Sequence, residues 1–121
     1  MATVFLVASV SLLSPAQTAW EMRVWNARQG HALAYDSARG RTVLFGGVEV
    51  SSYVSDTWEW DGSNWTRQNP AVSPPARSGH ALAYDSARGR TVLFGGFYAV
   101  AGNGSYLSDT WEWDPGPPGR R

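Results

Sequence analysis

His31 to Gly47 reads HALAYDSARGRTVLFGG, and His80 to Gly96 reads HALAYDSARGRTVLFGG again. The two stretches are identical over 17 residues and begin 49 residues apart. A second shared block, SDTWEWD, occupies Ser55–Asp61 and Ser108–Asp114 at a separation of 53. The chain is therefore a tandem repeat, and a repeat of this length is one supersecondary unit that buries its apolar faces against its neighbours. The change from 49 to 53 means that four residues are inserted between the blocks, in Phe97–Leu107 compared with Val48–Val54. Insertions settle in connections, so this stretch is expected to be a surface loop.

Each repeat reads as four short strands. The first two, His31–Tyr35 and Arg41–Phe45, are joined by Asp36-Ser-Ala-Arg-Gly40, in which Asp can turn back onto its own backbone and Gly can take the positive φ of a bulged hairpin loop. Trp58-Glu-Trp60 makes a third strand with both indoles on one face, Asp61-Gly-Ser-Asn64 a turn, and Trp65 opens a fourth strand ending near Pro70. The second copy follows through Trp111 and Trp113 and then runs into Pro115-Gly-Pro-Pro-Gly119, so its fourth strand is missing. A single sheet cannot bury two faces of Leu, Val, Phe, Tyr and Trp, so the expected architecture is all-β, with four-stranded antiparallel units stacked face to face.

The ordered set Arg77-Ser-Gly79-His80, a strand ending in Gly95-Gly96, then a Trp-rich strand resembles the kelch motif. Arg28-Gln-Gly30-His31, Gly46-Gly47, Trp58 and Trp65 give the first copy the same order. The resemblance covers about residues 28 to 114 and is closest to bacterial kelch proteins often named after galactose oxidase. It implies a partial propeller of two blades, residues 28–70 and 77–114, within a repeat region 20–114 and followed by a Pro/Gly-rich tail, 115–121. The paired glycines suit a place where blades crowd and a Cβ would clash. The indoles, each able to bury about 150–250 Å², are expected to fill the wider space between blades.

Composition excludes several function classes. All ten positive charges are arginine, the ten carboxylates are scattered singly and the net charge is zero, so no basic stripe points to nucleic acid. Lys and Ile are absent, as in a chain from a GC-rich bacterial gene. Without cysteine there is no thiolate nucleophile, no disulfide and no place for the cysteine-linked tyrosine of the galactose-oxidase copper site, so that activity is not expected here. His31 and His80 are repeat positions without a carboxylate or thiol at a fixed offset, and are expected to hold strands together or meet the neighbouring Arg rather than a metal. Asp36 with Asp85, Asp56 with Asp109 and Glu59 with Glu112 are likewise repeat positions, expected as partners of the repeat's arginines. No G-x-S-x-G elbow or phosphate-cradling glycine loop occurs, and the triplets Asn64-Trp-Thr66 and Asn103-Gly-Ser105 fit the glycosylation pattern only formally.

The expected function is therefore that of a non-catalytic binding or assembly module for a protein or glycan, without a cofactor. The alternative is a piece of a larger secreted propeller enzyme or carbohydrate-binding protein. Strand parity places Val48–Val54, Pro70–Arg77 and Phe97–Leu107 on one rim, with Tyr53, Arg77, Tyr98 and Tyr106 as its binding candidates. Val4–Leu13 is an apolar run too short to span a membrane and of the length of a signal-peptide core, which would make the protein secreted, although no basic residue precedes Arg23. Thr3-Val-Phe-Leu6 and Trp20-Glu-Met22 also echo Thr42-Val-Leu-Phe45 and Trp58-Glu-Trp60, so residues 1–19 read equally as a decayed blade, with Trp20–Trp25 supplying strand material. Two blades expose two sheet faces, and closure by three copies into a six-bladed ring is the favoured assembly, each copy's start completing its neighbour's last blade.

Overall fold

The computed structural model describes residues 19–23 and 25–117. The apolar start at Val4–Leu13 and the Thr3–Leu6 echo lie outside the described residues. Among those described there is no helix, and hence none long and apolar enough to cross a membrane.

The fold is all-β and antiparallel. Strands β1 (Ala32–Asp36), β2 (Arg41–Phe45), β5 (Thr57–Trp60) and β6 (Trp65–Gln68) form one sheet in the order β1-β2-β5-β6, with β3 (Val48–Glu49) and β4 (Ser52–Tyr53) as a separate small hairpin between β2 and β5. β7 (Ala81–Asp85), β8 (Arg90–Val100) and β9 (Asn103–Trp113) form a second, three-stranded sheet in the order β7-β8-β9. The turn chemistry acts as its residues dictate. Asp36 Oδ1 accepts the backbone N–H groups of Ala38 and Arg39, its carbonyl accepts that of Gly40, and Gly40 sits at φ +69°.

The inserted stretch is strand and not loop. In the first repeat Val48 pairs with Tyr53 and Glu49 with Ser52. In the second, pairing runs from Phe97↔Tyr106 to Val100↔Asn103, so the four added residues lengthen a hairpin by two rungs. An even insertion preserves the alternation of side chains, so no residue below it changes face. Tyr53 and Tyr106 are thus equivalent positions at the two hairpin bases.

The described part of Trp20–Trp25 forms no strand, in contrast to the sequence expectation. Trp20 is fully exposed, while Trp25 stacks on Trp65 at 4.9 Å and meets Trp58 edge-on at 4.8 Å. Arg28, anchored three residues later and lying 5.0 Å over the Trp25 ring, holds this segment against the sheet face instead of its edge.

The two sheets stack face to face, β1 beside β7. Register fixes which side of each sheet is involved. Val43 pairs with Glu59 and Phe45 with Thr57, and this side of the first sheet meets the Leu82, Leu93, Trp111 and Trp113 side of the second around a cavity of about 60 Å³. Val43, Leu44, Phe45 and Leu93 are the buried apolar core. Of the indoles expected between the repeats, Trp111 and Trp113 line this space, whereas in Trp58-Glu59-Trp60 the residue turned to it is Glu59, because alternation puts both tryptophans of the first repeat on the other side. Arg39 neutralises Glu59 through two bonds of 2.9 and 2.6 Å and also binds Asp36 at 2.7 Å, while Trp113 donates its indole N–H to Glu59 across the sheets at 2.9 Å.

Candidate functional site

The hairpins of the rim stand on two equivalent arginine clamps. Arg28 donates to the Gly46 carbonyl at 3.0 Å, to both oxygens of Asp56 at 2.9 and 3.0 Å, and to Glu49 at 2.8 Å. Arg77 repeats this with the Gly95 carbonyl at 2.9 Å and both oxygens of Asp109 at 2.5 and 2.8 Å, adding Nε to the Pro75 carbonyl. Trp58 and Trp111 complete each clamp by donating their indole N–H to Asp56 and Asp109 at 2.7 and 2.8 Å. Each clamp ties the segment before a sheet to the diglycine of its second strand and to the start of its third, and so fixes the base of the intervening hairpin.

The electrostatics follow from these contacts. The Arg77 guanidinium, then the Trp111 N–H, hold the Asp109 carboxyl well below the usual carboxylate range. Burial pushes Asp56 up, but the hydrogen bonds and charges of Arg28 and Trp58 outweigh it and leave the carboxyl below its ordinary value. Burial likewise opposes the charge on Arg28, and Asp56 and Glu49 more than restore it. Arg77 is fully buried, with its donors engaged inside the protein. The sequence reading placed it among the rim residues available to a ligand; its physical role is to build the rim from beneath.

The diglycines explain why two sheets come this close. A Cβ on Gly46 would sit 2.9 Å from the Arg77 carbonyl and 3.1 Å from the His80 ring, and Gly47 donates its N–H to that same carbonyl at 2.9 Å. Gly95 and Gly96 occupy the corresponding bulge of the second sheet. His80 is buried and reaches the other sheet, with Nε2 at 2.8 Å from the Phe45 carbonyl. Because a carbonyl only accepts, Nε2 carries the proton and Nδ1, buried without a partner, is the bare nitrogen. His31, at the same repeat position, is exposed, so the two imidazoles serve different surroundings. No group of three or more His, Asp or Glu side chains among the described residues could hold a metal ion.

Of the candidate tyrosines, the structure brings two together. Tyr53, on β4, and Tyr98, on the extension of β8, pack edge to face with ring centroids 5.2 Å apart. Tyr106 lies opposite Phe97 at 5.0 Å and, being out of phase with Tyr98 along the hairpin, points to its other side. It is 89% exposed. The Phe97 ring covers Gly104 so closely that no Cβ would fit there. Val50 and Val100, at the hairpin tips, are exposed apolar residues that the sequence reading did not single out; for Val100 the signal that could have found it is the absence of any charge from Phe97 to Leu107. Trp60 and Trp65 lie 5.6 Å apart on the outer side of the first sheet, away from this rim.

No family model matches the chain, and no curated protein matches it.

Proposed function

We propose that the chain is a pair of kelch-type propeller blades acting as a non-catalytic binding module, with its partner engaged by the neutral, aromatic rim formed by the two hairpins. Inner-to-outer strand order, paired glycines at the crowded end of the second strand and face-to-face stacking of the repeats all support the blade reading. The observation that carries the binding reading is the Tyr53–Tyr98 pair, where two hairpins from different sheets meet beside exposed Val50 and Val100. An exposed cluster of this kind on a rigid base is the usual mark of an interaction surface. Its chemistry suits an uncharged partner, either the apolar face of a glycan or an apolar stretch of protein, because aromatic rings offer contact area at low entropic cost. The carboxylates that general acid-base chemistry would need are tied instead to arginines, Asp56 to Arg28, Asp109 to Arg77 and Glu59 to Arg39.

The test is a glycan array and a pull-down with the parent chain and a Tyr53→Ala/Tyr98→Ala variant. Loss of the captured partner in the variant, with unchanged thermal unfolding, supports the reading. A variant that captures the same partner as the parent overturns it.

A further inference from the structure

The internal stacking of the two sheets uses one face of each, and the repeat supplies both faces a second time on the outside. The first sheet contributes Ala34, Asp36, Val43, Phe45, Thr57 and Glu59 to the contact, and the outer side of the second carries the same residue types at Ala83, Asp85, Val92, Phe94, Thr110 and Glu112. The second sheet contributes Leu82, Tyr84, Leu93, Trp111 and Trp113, and the outer side of the first carries Leu33, Tyr35, Leu44, Trp58 and Trp60. What separates inner from outer is mostly cover, although Leu44 is buried on the far side too. Phe45 is 3% exposed and Phe94 55%, and Leu33 and Tyr35 stand open on the far side.

We propose that a second copy of this chain seats its Leu33–Trp60 face on the Phe94–Glu112 face of the first, head to tail. The contact is specified atom by atom by the one already present inside the chain. There, Trp113 donates to Glu59, the Tyr84 hydroxyl lies near enough to Asp36 to favour its ionised form, and His80 donates to the Phe45 carbonyl. Between copies, Trp60 donates to Glu112, the Tyr35 hydroxyl lies near Asp85, and His31 donates to the Phe94 carbonyl. The Arg88–Glu112 pair, half exposed in the isolated chain, takes on the environment of Arg39–Glu59. Trp25 covers part of this face, over Trp58 and Trp65, and leaves Leu33 and Tyr35 exposed; one repeat later Pro74 lines the internal cavity beside Trp111 without preventing the stacking there. Such an interface is heterologous, so it joins two different surfaces and propagates until a ring closes. It is independent of what the tyrosine rim binds.

The decisive measurement is size exclusion with light scattering on the parent, on Leu33→Arg and on Phe94→Arg, all at micromolar concentration. Both positions are exposed in the single chain, so neither substitution disturbs its fold, which near-ultraviolet circular dichroism checks. The parent is expected at a multiple of 13.2 kDa and each variant alone at the monomer mass. An equimolar mixture of the two variants is expected at twice the monomer mass, because one intact face of each kind remains and the pair cannot grow. A monomeric parent, a single variant that still assembles, or a mixture at any mass other than the dimer's overturns the proposal.

Discussion

Glu59 and Glu112 are one residue of the repeat in two environments, and replacing each by alanine measures the difference. The Glu59 side chain is 6% exposed, bridged by Arg39 and bonded to the Trp113 indole across the sheets. Its removal strands a guanidinium that is only 8% exposed and leaves an indole N–H unpaired. Breaking a buried pair from one side costs about 3–5 kcal/mol. Asp36 still holds Arg39 at 2.7 Å, which places the loss at the lower end, about 3 kcal/mol. Against a total of about 5–15 kcal/mol for a small domain this is severe. With a urea slope of about 1.5 kcal/mol per molar, the midpoint falls by about 2 M. Glu112 pairs with Arg88 at the surface, where both are hydrated and screened, and its removal leaves the midpoint near that of the parent. The assay is urea unfolding followed by tryptophan fluorescence, run dilute enough that copies stay apart. Equal shifts for the two variants would refute the reasoning, since they would mean that stacking of the sheets does not set the worth of the carboxylate. Should copies stack as proposed, the Glu112→Ala loss grows with protein concentration while the Glu59→Ala loss does not.

Two further outcomes follow from the backbone and the buried imidazole. Burial lowers the His80 pKa below its ordinary 6.5, the Phe45 carbonyl bond opposing the shift and the charges of Arg77 and His31 adding to it. The unfolded chain therefore binds the proton first; the contribution is complete above about pH 6.5 and is lost as pH falls through the lowered folded value. Urea midpoints between about pH 7.5 and 5.5 should decline, and His80→Gln, which keeps an N–H for the Phe45 carbonyl, should flatten that slope; a variant with the parent's slope would exclude His80 as its source. Val50 begins the two-residue β3–β4 turn at φ 56°, a conformation that costs a β-branched residue about 1–2 kcal/mol. Val50→Gly relieves this and gives back about 0.5–1 kcal/mol in chain entropy, so thermal unfolding should rise slightly; a lower midpoint would show that the turn is not strained.

Much of the first sheet was legible because its signals are local. Asp36 and Gly40 specify a hairpin by their own hydrogen bonds and φ, so β1 and β2 fall where the residues put them, and Gly46 marks close approach because only a missing Cβ fits beneath the Arg77 carbonyl. The β3–β4 hairpin was hidden for the same reason in reverse: its turn uses Val50-Ser51, which carries no turn chemistry, and its strands are two residues each. Trp25 and Arg77 were misread because their roles come from the far side of a sheet. An arginine before a glycine looks like a surface residue until Asp109, 32 positions away, closes on it.

Alternation along Trp58-Glu59-Trp60 states that the two indoles share a side and the carboxylate takes the other; it is silent on which side another sheet will cover. That is decided by stacking order, and the chain contains its own control. Identical residues lie buried in the first sheet and open in the second, so cover cannot be a property of the residues themselves. The same point applies to the tyrosines. Tyr53 and Tyr106 are equivalent hairpin-base positions, yet Tyr53 is half-buried against Tyr98 while Tyr106 is exposed, because among the described residues the first hairpin has a following neighbour and the second does not. Tyr106 therefore belongs to the face on which the next sheet would stack, and Tyr98, out of phase with it, to the rim between hairpins. Of three residues alike in a one-dimensional reading, two build the candidate binding surface and the third marks the next interface.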